Sequence, residues 1–408
     1  MKIGVIHWAF HPMIGGVETH LYTICPEMVR QGAEVFLLTG AVEGEDEEED
    51  VLGIKVFRRQ EMCPPNISRW ESEGKDLYGV AKGLFESFID QNKIEVVQAH
   101  NMHMDFFPYS KAFLDICGQR DIPVYLVIHN DIFMPDKEPL MWKIVELPWD
   151  AFVPISDFNR TSMQERKPDI KKRKWVTNKH GIDIDRFKPV DEATKEKLKL
   201  EHGFTGRRVI LHAGRLLHTK GAYETIQAMP KILERFPDTL LVVLGKTTKM
   251  ISEEDIRSWY EKKVADLVKE KELEKDIWFG QFPHSEMHRL IALSDVLVSP
   301  TVEAKEPFGL CPVEGMACGV PAIVTRSGGL VESVVDGVTG FIIDRDPARI
   351  PAQLADRVIK LFSDPDLAGK MGLEGRKRTE ELFDRRRMAR DFIKLSQDLL
   401  GERVRRSG

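Results

Sequence analysis

The chain has 408 residues, of which 42% are apolar and 30% are charged. At roughly 100–200 residues per domain, this length predicts two domains, or three at most, each able to bury an ordinary hydrophobic core. It excludes a single small module, and the composition excludes a disordered or fibrous chain. The formal net charge of −6 argues against general nucleic-acid binding, because proteins that hold phosphate backbones usually carry a basic excess.

Cysteine usage and hydropathy favour a cytoplasmic protein. The five cysteines are scattered, odd in number and without a CxxC pair, which favours reduced thiols over a disulfide framework. The longest uncharged run, residues 3–17, is shorter than the roughly 20 apolar residues that a bilayer span needs. No cleavage pattern of a signal peptide follows it. We therefore expect no membrane span and a cytoplasmic location.

Short apolar runs alternate with amphipathic helical segments, which is typical of α/β domains with parallel sheets. A first series of predicted strands occupies 2–7, 33–39, 94–99, 123–129 and 151–156, and a second occupies 208–214, 239–245, 276–280, 295–300 and 321–325. The charged segment 187–208 separates them, so we place one domain at 1–190 and another at 191–383. The predicted last helix, 384–408, packs either on its own domain or back on the first.

The two halves begin on one plan, with a strand, a glycine-bearing loop, a helix and a second strand. Gly16 and Gly221 are separated by the same interval as Gly40 and Gly245. This plan predicts two Rossmann-like, doubly wound domains, whose ligands bind beyond the carboxyl ends of the strands. Two such domains facing each other would form a deep cleft.

The segment 299–329 carries the most chemistry. After a predicted strand, a loop holds Glu306 and Gly309, and a helix begins near Leu310. Unpaired backbone N–H groups at a helix start bind phosphate, and a glycine lets a ligand approach closely. Glu314 lies one turn into the helix on the same face, so the two glutamates bracket an anion site and can accept hydrogen bonds from sugar hydroxyls. Such a site suits a nucleotide sugar, although an isolated pair of glutamates at this spacing is more often a solvated residue and a first-turn acid.

The loop HAGRLLHTKG (212–221) supplies two cations at the mouth of a predicted strand. Arg215 can bind a diphosphate in bidentate fashion, and Lys220 can neutralise it as a point charge. Taken alone, two solvated loop charges explain the pattern equally well. Their presence in the same predicted domain as Glu306 and Glu314 favours a diphosphate site.

Gly15 and Gly16 open the first helix and offer backbone donors to an anion. The segment lacks the G-x-G-x-x-G spacing, so it does not support a dinucleotide site. Six histidines fall at predicted strand ends, where active sites of this architecture lie, although a lone histidine there is usually structural: His7, His100, His103, His129, His180 and His212.

A metal site is not predicted. His100 and His103 could be ligands, but no third ligand follows at useful spacing and no H-E-x-x-H motif occurs. Two charge clusters remain. The acidic run 44–50 is most simply a solvated loop, and the basic run 165–175 is either plain surface or a contact for an anionic lipid or polymer.

The motifs resemble the retaining GT-B glycosyltransferases of family 4. They occur in that family's order along nearly the whole chain: IGGVETH (14–20), VIHN (127–130), PISDF (154–158), HGIDIDRFKP (180–189), HAGRLLHTKG (212–221), EPFGLCPVEGMACGVPAIVTRSGG (306–329) and DGVTGF (336–341). The resemblance implies a GT-B fold, in which the final helix crosses back to the first domain. His180 departs from the family's usual Asn, and GKTTK (245–249) stands where a G-[Asp/Glu]-G turn is common.

The resemblance also implies the site. Arg215 and Lys220 would bind the donor diphosphate, and Glu306 would contact the transferred sugar. Phe308, Gly309 and Leu310 would supply backbone amides to the donor, and Glu314 would hold its ribose. Gly15 and Gly16 would approach the donor phosphate, the base would lie near Gln281 and Phe282, and His129 would lie by the reacting sugar. The first domain would bind the acceptor, with Glu18, His100 and Asn101 as candidate contacts.

The implied activity is a metal-independent, retaining transfer of sugar from a UDP-, GDP- or ADP-sugar to a hydroxyl of a sugar, small molecule or lipid-linked acceptor. No cofactor and no nucleic acid is implied, and contact with a membrane surface is compatible with it. Two alternatives stay open. One is a glycan phosphorylase of the same architecture, which needs a pyridoxal-phosphate lysine that no motif identifies. The other is a sugar-nucleotide-binding protein without turnover.

Overall fold

A computed structural model describes residues 1–13, 15–104, 106–130, 138–214, 216–244 and 254–407. These residues form two compact units. The first comprises Met1–Gly181 together with Arg385–Gly408, and the second comprises Ile182–Asp384. All five cysteines are free thiols. No helix in the described part of the chain combines the length and apolarity that a bilayer crossing requires.

Seven strands among the described residues form the sheet of the first unit, in the order β3-β4-β2-β1-β5-β6-β7. All neighbours are parallel except β3 and β4. The strands are β1 (Lys2–Ile6), β2 (Glu34–Gly40), β3 (Glu48–Val51), β4 (Ile54–Arg59), β5 (Val96–His100), β6 (Val124–Ile128) and β7 (Ala151–Pro154).

The second unit has a parallel sheet of six described strands in the order β10-β9-β8-β11-β12-β13. In chain order within the unit this is 3-2-1-4-5-6, the doubly wound order of nucleotide-binding folds. The strands are β8 (Arg208–His212), β9 (Thr239–Leu244), β10 (Ile277–Gly280), β11 (Val296–Ser299), β12 (Ala322–Thr325) and β13 (Gly340–Ile343).

Helices cover both faces of each sheet, as parallel strands buried on both sides require. In the first unit they are α1 (Gly16–Arg30), α2 (Pro64–Ser72), α3 (Leu77–Asn92), α4 (Phe107–Gln119), α5 (Glu138–Val145), α6 (Asp157–Arg166) and α15 (Arg385–Ser407). In the second they are α7 (Glu192–Glu201), α8 (Ala222–Arg235), α9 (Glu254–Glu270), α10 (Met287–Leu293), α11 (Leu310–Ala317), α12 (Leu330–Ser333), α13 (Ile350–Ser363) and α14 (Pro365–Leu382).

Alternation along β1 explains the two-layer core of the first unit. Ile3 and Val5 pack with α1 and α15, whereas Ile6 points to the opposite face and packs with α3 and α4. Because successive strand residues face opposite sides, a strand between two helical layers must be apolar throughout. The uninterrupted apolar runs therefore predicted these strands.

The last helix, α15, packs on the sheet of the first unit. The ring of Phe392 stacks on that of Tyr125 in β6, with ring centroids 6.3 Å apart. The hydroxyls of Tyr125 and Ser396 lie within hydrogen-bond distance, at 3.1 Å. Lys174 Nζ donates to Glu402 Oε1 at 2.6 Å near the end of the helix. The chain thus returns to its first unit after completing the second.

The acidic run is not only a solvated loop, so that prediction was wrong for its second half. Residues 48–51 form β3, which pairs antiparallel with β4 at the sheet edge. Glu49 accepts a hydrogen bond from Nε of the buried Arg58 at 2.9 Å. Charged side chains on an edge strand oppose pairing with other chains, which accounts for an acidic strand at this position.

Three of the six basic residues in the run 165–175 pair with acids of the first unit. Arg166 contacts Glu138 at 2.7 Å, and Lys167 pairs with Glu146. Lys171 and Lys172 are exposed. Contact of this run with an anionic surface stays a prediction.

Candidate functional site

The two loops predicted to bind the donor follow β8 and β11, which are neighbours at the centre of the second sheet. From β8 the chain continues to β9 on one side, and from β11 it continues to β12 on the other. The order of the sheet therefore reverses between β8 and β11, which opens a crevice beyond their carboxyl ends. Ligands of doubly wound sheets bind at such a position.

A glycine brings the loop after β8 against the end of β11. Gly221 has a left-handed backbone with φ of +78°, and a Cβ there would lie 2.0 Å from the carbonyl oxygen of Pro300. The Thr219 carbonyl accepts hydrogen bonds from Val302 N at 2.9 Å and from Thr301 Oγ1 at 2.7 Å. Only glycine permits this approach, and the approach positions Lys220 beside the loop that follows β11.

Lys220 and Glu306 form an ion pair across the two loops. Lys220 Nζ donates to Glu306 Oε2 at 2.6 Å, and the side chains are 27% and 16% exposed. A part-buried pair of this kind is stronger than a surface pair because solvent screens it less. Since its cation is still accessible, a diphosphate can compete with Glu306 for Lys220.

The loop that carries Glu306 packs against two adjacent glycines, Gly328 and Gly329. The Glu306 carbonyl accepts from Gly329 N at 2.7 Å, and Glu306 N donates to Ser327 Oγ at 3.3 Å. A Cβ on Gly328 would lie 2.1 Å from the Glu306 carbonyl oxygen. The turn formed by Ser327, Gly328 and Gly329 therefore fixes the position of the Glu306 loop. This supporting role was not predicted from the sequence.

Gly309, the residue immediately before α11, has a left-handed backbone conformation. Its φ is +83°, and a Cβ would lie 2.2 Å from Cδ2 of Leu330. The Phe308 side chain is buried, with its ring packed edge-on against that of Phe383 at 5.6 Å. Phe308 is thus a core residue. The first N–H groups of α11, beginning at Leu310, have no partner within the helix.

Glu314 lies one turn into α11, and its carboxylate has no hydrogen-bond partner among the described residues. The residue is half-buried. Desolvation raises the pKa of Glu314 to about 7, against the opposing charge of Arg186. A carboxylate without a partner at this place is free to accept hydrogen bonds from a ligand.

Two predicted donor residues, Gln281 and Phe282, lie beyond a different strand, and a third, Arg215, is not described. Arg215 lies outside the described residues, as does GKTTK (245–249). Gln281 is exposed, and the Phe282 ring lies 5.1 Å from that of His202. Both follow β10, the edge strand that β9 separates from β8.

In the first unit, the Glu18 carboxylate lies against Gly15, at the end of the loop between β1 and α1. A Cβ on Gly15 would lie 2.2 Å from Glu18 Oε2, so Glu18 folds back over the start of α1. Gly16 is exposed, and a Cβ there would meet no other atom within 4 Å. Glu18 Oε1 also lies 3.6 Å from His7 Nε2. Burial raises the pKa of Glu18, but the hydrogen bond and charge of His7 outweigh it and hold the pKa below its ordinary value.

Four histidines of the first unit, His20, His100, His129 and His180, meet in a buried group that we call the histidine cluster. His100 Nδ1 lies 2.9 Å from His129 Nε2, and His180 Nδ1 lies 3.1 Å from His20 Nδ1. The His20 ring is 4.8 Å from that of His129. Burial lowers the pKa of each imidazole well below its usual range, so the cluster is neutral at neutral pH.

Asn101 connects two strand ends within this region. Its side-chain oxygen accepts from His129 N at 2.9 Å, and its own N–H donates to Val127 O at 3.0 Å. His100 and Asn101, predicted to contact the acceptor, are both buried, as is His129. Their side chains pack within the unit in this conformation, and their contacts with substrates stay predictions.

The sequence analysis did not single out His20. Two histidines that it did single out, His103 and His212, lie outside the cluster. His20 is four residues after Gly16 in the quoted IGGVETH motif, so its position one turn into α1 was available as a signal. His103 lies outside the cluster, with Nε2 3.2 Å from Asn130 O, and His212 belongs to the second unit. Strand-end position alone did not distinguish these cases.

Comparison with known proteins identifies the family. The family model described as "Glycosyl transferases group 1" matches residues 194–378, and that described as "Glycosyltransferase Family 4" matches residues 14–186. Spore coat protein SA of Bacillus subtilis (strain 168) is 28% identical over 335 residues, which cover 74% of this chain and 85% of the relative.

Solved structures agree on the fold. Sucrose-phosphate synthase from Thermosynechococcus elongatus superposes with a TM-score of 0.80 at 18% identity, over 98% of this chain and 99% of that one. Anabaena Alr3699/HepE, crystallised with UDP and glucose, gives a TM-score of 0.74 at 18% identity, over 98% and 100%. The predicted fold class and family are confirmed: the chain has the GT-B fold, belongs to the glycosyltransferases of group 1 and family 4, and is a glycosyltransferase.

Proposed function

We propose that the protein transfers a sugar from a nucleoside-diphosphate sugar to a hydroxyl acceptor, with retention of anomeric configuration and without a metal in the reaction. The observation that carries the proposal is the Lys220–Glu306 pair beside the start of α11, at the crevice of a doubly wound sheet. It combines a cation for a diphosphate, a carboxylate for sugar hydroxyls and free backbone donors.

The leaving group is stabilised by fixed positive charge. As the bond between the anomeric carbon and the β-phosphate oxygen breaks, negative charge collects on the diphosphate. Lys220, Arg215 and the N–H groups at the start of α11 are proposed to meet that charge, because donors held in place before the reaction need no reorganisation during it. The acceptor hydroxyl then bonds to the anomeric carbon on the same face, and its proton passes to the departing phosphate oxygen.

Glu306 is proposed to orient the sugar rather than to attack it. Its carboxylate holds Lys220 in the free enzyme, so donor binding exchanges this contact for phosphate on the lysine and hydroxyl groups on the glutamate. A double displacement would need two carboxyl groups about 5–5.5 Å apart on either side of the bond. Glu314 is proposed to hold the ribose, as the resemblance implies.

The remaining roles rest on the resemblance. Gln281 and Phe282 are proposed to lie near the base, and Gly15 and Gly16 near the donor phosphate. His129 is proposed to contact the reacting sugar. The first unit is proposed to bind the acceptor, with Glu18, His100 and Asn101 as candidate contacts. The HepE structure is a complex with UDP and glucose, which supports testing UDP-sugars first.

Donor screening by thermal shift tests the proposal. A bound donor raises the apparent melting temperature by mass action, and a concentration of 100 times Kd adds about 2.7 kcal/mol of stability. We expect one nucleotide class among UDP-, GDP- and ADP-sugars to stabilise the protein, and Lys220→Ala to abolish the shift. The matched control is Lys231→Ala, which removes an exposed lysine paired with Asp356 at 2.5 Å in the same unit.

Turnover separates the alternatives. With the stabilising donor and a set of acceptors, release of nucleoside diphosphate and an NMR assignment of the product anomer test transfer and retention, and the assay is repeated with a chelator. Consumption of inorganic phosphate instead would identify a phosphorylase. Donor hydrolysis no faster than in buffer, with every acceptor silent, would identify a binding protein.

A further inference from the structure

A cavity opens beyond the carboxyl ends of β11, β12 and β13 in the second unit, next to the crevice between β8 and β11. Its volume is about 350 Å³, at the lower end of the range for small-molecule sites. Because the strands are parallel, the residues that directly follow them meet at this edge. We call it the arginine cavity, and its lining consists of Arg326, Arg345, Asp344, Asp346, Val302 and Pro347.

The two aspartates of the arginine cavity are bound by their own loop. Asp344 accepts hydrogen bonds from Asp346 N at 3.2 Å and from Arg349 Nη1 at 2.9 Å. Asp346 accepts from Ala348 N at 3.0 Å, and its Oδ2 lies 3.5 Å from Arg349 Nε. The hydrogen bonds from Asp346 N and Arg349 hold the pKa of Asp344 below its ordinary value. Both carboxylates are therefore engaged within the loop that precedes α13.

The two arginines of the cavity have no acidic partner in the described part of the chain. Arg345 Nη1 donates to the Val302 carbonyl at 3.3 Å, and the Arg326 side chain is exposed. Each guanidinium presents five N–H donors, so most of these donors remain available to a ligand. Two guanidinium groups in one cavity match the charge of a phosphate dianion, whose oxygens arginine binds in bidentate fashion.

Arg345 is connected to the loop that carries Lys220. Val302 N donates to the carbonyl of Thr219, the residue before Lys220, at 2.9 Å. The carbonyl of the same Val302 accepts the hydrogen bond from Arg345. One residue of the cavity lining thus joins an arginine of the cavity to the backbone that positions the cation of the donor site.

Arg326 is connected to the other loop of the donor site. Its backbone N–H donates to the Ile343 carbonyl at 2.9 Å, which fixes the end of β12 beside that of β13. The next residue, Ser327, accepts a hydrogen bond from Glu306 N at 3.3 Å, and its hydroxyl donates to the Glu303 carbonyl. The arginine cavity therefore shares backbone contacts with both loops that hold the Lys220–Glu306 pair.

We propose that the arginine cavity binds the phosphate group of a small phosphorylated molecule, and that its occupation strengthens donor binding. Arg345 can hold phosphate with one pair of N–H groups and keep Val302 with another, so an occupied cavity orders the segment that positions Lys220. By linkage, the donor strengthens phosphate binding by the same factor. The phosphate site does not rest on the proposed function, whereas the coupling does, so the two are measured separately.

Phosphate binding is tested on the full-length protein without donor. The probe is glycerol 3-phosphate, with glycerol as its uncharged counterpart, and phosphorus NMR linewidths give the Kd. Arg326→Gln and Arg345→Gln are each expected to weaken binding by about 10–100-fold, since each removes hydrogen bonds to a charged group. The matched control is Arg235→Gln, which removes an exposed arginine in the last turn of α8 and should bind as the wild type does.

Lys220→Ala separates the arginine cavity from the donor crevice, where a phosphate group can also bind. This variant is expected to retain glycerol 3-phosphate binding, and circular dichroism checks that every variant folds. Binding that is lost in the Lys220 variant but retained in both cavity variants would overturn the site. No binding by the folded wild-type protein at millimolar probe, or equal binding of glycerol, would also overturn it.

The coupling is measured by titrating the stabilising nucleotide sugar with and without saturating glycerol 3-phosphate. We expect the Kd of the donor to fall by at least about fivefold in the wild type and to stay constant in Arg345→Gln. An unchanged donor Kd in wild-type protein with phosphate bound would overturn the coupling. Failure of every nucleotide sugar to bind would contradict the proposed function instead, and the phosphate titration would still decide the site.

Discussion

The two units place polar groups at the same topological position but in opposite electrostatic states. In the first unit, the sheet order reverses between β1 and β5, and the groups there are buried, neutral imidazoles. In the second, it reverses between β8 and β11, and the groups are a part-exposed ammonium and carboxylate. One fold plan thus supports either kind of site.

The difference follows from what covers each position. Phe392 of α15 packs at 6.3 Å from the rings of both His20 and His100, so the buried apolar face of this helix excludes water from the first position. Burial without a charged partner favours the uncharged form of a group. At the second position the loops are held by backbone contacts and remain accessible, so a charged pair persists there. The charged pair therefore identifies the second position as the one suited to a charged ligand.

Removal of the cation at the second position is expected to have the largest effect. Lys220→Ala should lower kcat by about 10²–10³-fold, as loss of one stabiliser of transition-state charge commonly does. Arg215→Ala is expected to act in the same way. Steady-state release of nucleoside diphosphate measures both, with Lys231→Ala as the control that should stay within about twofold of wild type. Near-normal turnover in the Lys220 variant would contradict the assignment of the charged position to the donor.

Disruption of the loop approach is expected to lower stability. Gly221→Ala introduces a Cβ against the Pro300 carbonyl and strains a left-handed backbone, which should cost about 2–4 kcal/mol. Gly203→Ala has a similar φ of +74° but open space around the new Cβ, so it should cost only about 1 kcal/mol. Thermal unfolding compares the two. Equal losses would mean that the contact with Pro300 contributes nothing.

The raised pKa of Glu314 gives the smallest predicted effect. Its folded-state pKa of about 7 exceeds the ordinary value of 4.5, so its contribution to stability is complete below pH 4.5 and is lost as pH rises through 7. Glu314→Gln removes this loss. The melting temperature of the variant relative to wild type should therefore rise by a few degrees between pH 5 and pH 8. A constant difference across that range would show that Glu314 titrates normally.

Much of the fold was predictable from local pattern. All ten predicted strands are present, because strands buried on both faces are continuous apolar runs. Three strands, β3, β4 and β13, were not predicted. β3 is acidic and pairs only with β4, so its stability comes from a partner strand and the buried Arg58 rather than from its own hydropathy.

The parts of the candidate site that lie close together in the sequence were predictable, whereas contacts between distant segments were not. Glu306, Gly309 and Glu314 lie within one loop and one helix turn, so their relation follows from sequence spacing. The pairing of Lys220 with Glu306 joins residues 86 positions apart and depends on the closeness of Gly221 to Pro300. No spacing rule contains that contact.

By itself, the sequence determined a two-domain α/β glycosyltransferase with loop residues suited to a diphosphate and a sugar. Length, apolar runs and ordered motifs are local properties, and they required no knowledge of packing. Only the tertiary structure brought His20 to His100 and His129. The reason is physical: parallel strands and the helix beside them converge at their ends regardless of separation in sequence, so groups far apart in the chain share one buried volume.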